Sequence, residues 1–222
     1  MPSFFLQMDT KFLDCFGYIS IAFSIIPLLV GFICIKTIKS YLVPLFLIVF
    51  ISACVEIISR IIANIYENNF PILHIYTGIE FSLIFVFYML FYKQYYKFKI
   101  LYLILPVFYV VTYIDYKVNG LNEMDSFSVT VESAFFIITS LLSFFFIIRH
   151  LIFENILNMP FFWINSGILI YFSGNILLFI FSNSFIKSEI KTFLILWAII
   201  HSLLNIIYNS LICIGFSKSR IK

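Results

Sequence analysis

Long apolar stretches alternate with short polar connectors along the whole chain. Seven stretches stand out, at residues 14–36, 41–66, 72–92, 98–115, 129–149, 159–182 and 191–216. A bilayer core about 30 Å thick needs roughly 20 apolar residues of helix at 1.5 Å rise per residue, so each stretch predicts a membrane span. Phe, Ile and Tyr favour strands in water, but lipid offers no partner for an open backbone, and the pattern therefore predicts helices. The expected fold class is all-α: a polytopic integral membrane protein, one bundle of seven transmembrane helices occupying residues 1–222 as a single domain. The connectors carry Lys36 and Lys39, then Glu67, Asn68 and Asn69, then Lys93, Lys97 and Lys99. The longest, Asp115 to Ser128, is acidic, with Asp115, Glu123 and Asp125.

Composition agrees with this pattern and excludes other classes. Of 222 residues, 63% are hydrophobic and only 11% charged, with mean hydropathy +1.08; a soluble domain averages roughly 25% charged. A water-soluble nucleic-acid binder, a coiled coil, a disordered chain and a disulfide scaffold are all excluded. Cys15, Cys34, Cys54 and Cys213 lie in or beside apolar runs and imply no disulfide framework. No cleaved signal peptide is expected, because the first residues lack a clustered positive region.

The basic residues are distributed unevenly, and this asymmetry orients the chain. One side would hold Lys36, Lys39, Lys93, Lys97, Lys99, Arg149, Lys218, Arg220 and Lys222, the other Lys11, Lys117, Lys187 and Lys191. The rule that positive loops stay inside places the N-terminus outside and the C-terminus in the cytoplasm of an inner membrane. Tyr92, Tyr95, Tyr96 and Trp163 fall where an inner aromatic belt belongs. Retinal is excluded as a cofactor, since no lysine lies between Lys191 and Lys218 to form a Schiff base. No other cofactor is implied. No pair of ligand-type side chains shows zinc spacing, so no metal is expected either.

Ionisable groups inside spans cost roughly 2.5–3.5 kcal/mol each at the centre and tend to mark function. The second stretch carries Glu56, Arg60 and Asn64 on one face; the third carries His74, Tyr76 and Glu80. Glu132 and Ser133 open the fifth, Asn165, Ser166, Ser173 and Asn175 lie in the sixth, and Trp197, His201, Asn205 and Asn209 stripe the seventh. Counted from the outer ends, Glu56, Glu80, Asn175 and His201 share a layer about 10–15 Å deep. That layer predicts an outward-facing polar pocket, with Glu80 and His201 facing the ligand, Glu56 and Arg60 an adjacent ion pair, and Asn175 and Asn205 completing the lining. Taken singly, the asparagines read better as interhelical glue worth about 0.6 kcal/mol each. Gly167 and Gly174 are expected to let helices approach closely.

Three short patterns occur in order: Glu56-Ile-Ile-Ser-Arg60, Phe70-Pro-Ile-Leu-His74 and His201-Ser-Leu-Leu-Asn205. Together they resemble the signatures of the CAAX-type intramembrane glutamic proteases, with Val55 standing where that family has a second glutamate. The resemblance implies metal-independent hydrolysis in which Glu56 activates water, Arg60 orients it, and His74, His201 and Asn205 assist.

The leading expectation is a non-enzymatic receptor-like or sensor module for a small polar or amphiphilic ligand. An intramembrane hydrolase is the first alternative, and a proton or ion conduit running from Glu80 through His201 and Asn209 to Asn165 the second. The basic positions Lys93, Lys97, Lys99, Lys218, Arg220 and Lys222 would meet anionic membrane lipid or a cytoplasmic or membrane protein partner.

Overall fold

A computed structural model of the chain describes residues 10–66, 68–93, 103–150 and 155–219. Glu67, Tyr95, Tyr96, Lys97, Lys99, Arg220 and Lys222 lie outside the described residues, as does the side chain of Asn64. The described secondary structure is entirely helical: α1 (Thr10–Cys34), α2 (Val43–Tyr66), α3 (Phe70–Tyr92), α4 (Ile104–Asn119), α5 (Ser126–His150), α6 (Pro160–Ser188), α7 (Ile190–Leu196) and α8 (Ser202–Lys218). A short 3₁₀ turn, Ser40–Leu42, leads into α2. A π turn over Trp197–His201 joins α7 to α8 without a break.

Among the described residues, six helical stretches are long and apolar enough to cross a membrane: Cys15–Cys34, Ser40–Ala63, Phe70–Tyr92, Ser126–Arg149, Pro160–Ser188 and Ile190–Lys218. They coincide with six of the seven expected spans. Of the fourth, expected at 98–115, residues 98–102 lie outside the described residues; the rest falls in α4, whose 16 residues rise about 24 Å. Its end lies four residues beyond the expected one. The first charged side chain, Asp115, does not stop the helix; Gly120 does, taking a positive φ of 77° while its N–H closes the last turn on the Tyr116 carbonyl. At the other end of such helices, proline does the punctuation. α6 starts on Pro160 and α3 carries a proline in its first turn, where the missing N–H has no partner to lose.

Large apolar side chains face outward, among them Ile33 (70% exposed), Val118 (75%) and Leu177 (65%), whereas Asn165, Asn175, Asp115 and Glu132 are buried. Water would reverse this distribution, and lipid accounts for it. The protein is a multi-pass membrane protein.

The chain divides into two compact units. One contains α1 and everything from Ser133 onward, the other Thr37–Glu132, so the first turns of α5 belong to the second unit. In the first, α8 packs against both α1 and α6. Glycines set the α6–α8 spacing: a Cβ at Gly174 would lie 2.6 Å from Leu204, and one at Gly215 2.5 Å from Ile164 and 3.2 Å from the Pro160 carbonyl. Gly167 likewise faces Tyr208 and Leu211 at 3.3 Å. In the second, α3 packs against α2 and α4. Phe81 stacks on Phe108 with centroids 3.6 Å apart, and the Tyr109 hydroxyl lies 2.8 Å from that of Ser82 and donates to the Gly78 carbonyl.

Candidate functional site

In the second unit, polar side chains gather around the turn between α4 and α5. Asp115, in the last turns of α4, accepts from the Ser128 N–H at 2.8 Å, the Ser128 hydroxyl at 2.7 Å and the Asn119 amide at 2.6 Å. Its carboxylate thus satisfies an orphan donor at the start of α5, where the helix dipole favours negative charge. Asp125, just before α5, is also buried; its Oδ2 lies 2.5 Å from the Thr77 hydroxyl on α3. Burial pushes the Asp125 carboxyl above its ordinary value of 3.8, against the opposing pull of the Thr77 bond and of nearby His74. The His74 Nε2 pairs with the Glu123 carbonyl at 3.0 Å. Because a carbonyl only accepts, that nitrogen carries a hydrogen.

Two further carboxyls lie beyond this turn. Glu80 follows Thr77 by one turn of α3 and accepts from the Tyr76 hydroxyl at 3.0 Å. Glu132 follows Asp125 by two turns of α5 and is 1% exposed. Neither of its oxygens has a hydrogen-bond partner among the described residues. Glu132 lies within electrostatic reach of both Glu80 and Asp125. Three carboxyls therefore converge in one unit. Among the described residues, however, no three His, Cys, Asp or Glu side chains are arranged to hold a metal ion.

The first unit has a different polar centre. His201 ends the π turn and stacks on Trp197 one turn earlier, with centroids 4.2 Å apart and 21° between planes. The edges of Tyr171 and Phe179 on α6 close two further sides, at 5.7 and 6.3 Å. Asn205 donates to the Ser20 hydroxyl at 2.8 Å, and its Oδ1 accepts from Asn209 at 3.0 Å. Asn165 donates to the Ser140 carbonyl at 3.0 Å, tying α5 to α6. The bonds to Ser20 and to Ser140 are interhelical, whereas the Asn209–Asn205 bond lies within α8.

The residues expected to line one pocket are thus shared between two units. Glu56, Arg60, His74 and Glu80 belong to the second; Asn175, His201 and Asn205 belong to the first. Glu56 and Arg60 sit one turn apart on α2. The sequence shows Asp115 and Asp125 only as acids of a connector and does not single out Thr77. The available signal was local: Asp125 stands directly before the apolar run of α5, a helix-capping position, with Ser128 in the first turn. No family model, characterised protein or solved structure matches the chain.

Proposed function

We propose that the chain is a membrane-embedded binding module of receptor or sensor type, taking a small cationic ligand into the carboxyl group formed by Glu80, Asp125 and Glu132. The supporting observation is Glu132, buried beside two other acids with neither oxygen partnered among the described residues. An unpaired buried carboxylate is costly, and a ligand bringing positive charge and N–H donors would remove that cost. The absence of metal-holding geometry among the described residues favours a molecular cation of the primary-ammonium type over a bare ion.

In this reading α4 is a seventh span, the N-terminus lies outside and the C-terminus in the cytoplasm of an inner membrane. Lys93 and Lys218 then face anionic lipid or a partner protein on the inner side. The acid group and the turn at 120–125 lie toward the outer face. Glu132, about 9 Å from the start of α5, is within reach of a ligand from that side.

The test uses the full-length protein in lipid nanodiscs, with thermal unfolding as readout. Methylammonium and ethanolamine are the probes, and choline the control that keeps the charge but lacks N–H. Saturable stabilisation of wild type by the two amines, weaker with choline and lost in Glu132→Gln, is the expected result. No saturable shift with any probe, or equal shifts in wild type and variant, overturns the proposal.

A further inference from the structure

The first unit holds two buried polar atoms with no hydrogen-bond partner among the described residues, the Asn175 Oδ1 and the His201 Nδ1. Their placement is related. His201 touches Tyr171 and Phe179, which lie four residues before and four after Asn175 on α6. All three α6 residues therefore share the face turned toward the π turn. The Asn175 amide donates to the Tyr171 carbonyl at 3.0 Å, which fixes the side chain so that its oxygen is the unsatisfied end. Asn175 is completely buried.

An oxygen that only accepts requires a donor, and leaving it without one costs a substantial part of a hydrogen bond's desolvation. The imidazole Nδ1 either accepts or donates according to tautomer. A hydroxyl group serves both atoms, since it offers one donor and two lone pairs. The walls around it are aromatic: Trp197 stacked on the imidazole, Tyr171 and Phe179 edge-on. The π turn that presents His201 is an uncommon helical irregularity, frequent at functional sites.

We infer that Asn175 and His201 form a two-point site for one neutral O–H group, brought by a water molecule or by the alcohol of an amphiphile. The hydroxyl donates to Asn175 and bonds the imidazole, and an attached alkyl chain lies along the aromatic walls. This site is separate from the carboxyl group, and its failure leaves that proposal untouched.

Two measurements on the full-length protein in nanodiscs test it. In the first, a Trp163→Phe background leaves Trp197 as the sole indole, and its fluorescence is followed during titration with n-octanol and with the methyl ether of n-octanol. A saturable response to the alcohol, about tenfold weaker for the ether, identifies an alcohol as the source of the O–H group. In the second, the isotope-labelled His201 Nδ1 resonance is compared between wild type and Asn175→Leu. A resonance at a hydrogen-bonded position that moves in the variant supports the site even without an alcohol response, and assigns the group to water. The two arms complement each other because the titration needs no variant at Asn175. Equal non-saturable responses to alcohol and ether, together with a free Nδ1 resonance in wild type, overturn the inference.

Discussion

The Thr77 hydroxyl lies 2.5 Å from the Asp125 carboxyl and 3.1 Å from the carbonyl of Leu73 on its own helix. It has one hydrogen for two acceptors, and the carbonyl can never donate. In the structure the hydroxyl donates to Asp125, which opposes the effect of burial on that carboxyl; once protonated, Asp125 donates instead and frees Thr77 for Leu73. Burial pushes Asp125 in that direction.

A pH dependence follows. A carboxyl whose pKa is raised by folding contributes stability that is fully present below its unfolded value and lost as pH rises through its folded value. Asp125 is such a group, so its contribution declines as pH rises above the ordinary 3.8. The groups facing it are His74, which opposes this trend, and Asp115, which reinforces it, with Glu80 and Glu132 within electrostatic reach. Thermal unfolding across pH should show Asp125→Asn losing less stability than wild type on the alkaline side. Identical pH profiles for the two would contradict the assignment.

Asp115 should behave as a structural acid. Asp115→Ala removes three accepted hydrogen bonds and the negative charge at the start of α5, and is expected to cost about 1–3 kcal/mol. Asp115→Asn keeps one carbonyl oxygen and should cost less. Unfolding midpoints of the two variants check the order.

Glycine at 215 offers a sharper test of packing. In an unobstructed helix Gly→Ala gains up to about 1 kcal/mol. Here the new methyl would meet Ile164 at 2.5 Å and the Pro160 carbonyl at 3.2 Å, and the carbonyl cannot rotate away. Gly215→Ala should therefore destabilise by about 1–3 kcal/mol. A neutral or stabilised variant would mean that α6 and α8 separate more easily than the structure implies.

The helices were legible in the sequence because lipid leaves an apolar stretch few alternatives, so hydropathy alone located six spans, five of them within about three residues at each end, while α6 runs on from the expected end at 182 to Ser188. Ends set by backbone conformation were less legible. α4 passes Asp115 and stops at Gly120, a difference that hydropathy does not register. For the candidate sites, the residue types were visible but not their partners. Counting along the helices put Glu80, His201, Glu56 and Asn175 at one depth, yet depth says nothing about which neighbour a side chain meets. Asp115 and Asp125 were visible only as acids of a connector. Only the fold shows them turned inward onto Ser128 and Thr77. Asn205 looked available for chemistry until its bonds to Ser20 and Asn209 were in view.

Glu132 and Glu80 should respond oppositely to the same substitution. Glu132→Met exchanges a buried carboxyl that has no hydrogen-bond partner among the described residues for a flexible apolar chain of similar length, and none of those residues is left unsatisfied by the change. It is expected to stabilise the protein by about 1–3 kcal/mol in the absence of ligand. Glu80→Met gains less or loses outright, because it strips an acceptor from the Tyr76 hydroxyl. Unfolding in nanodiscs without added amine gives both values. A residue whose removal stabilises the empty protein while abolishing amine-induced stabilisation is retained for binding, whereas destabilisation by Glu132→Met would make it a structural acid like Asp115.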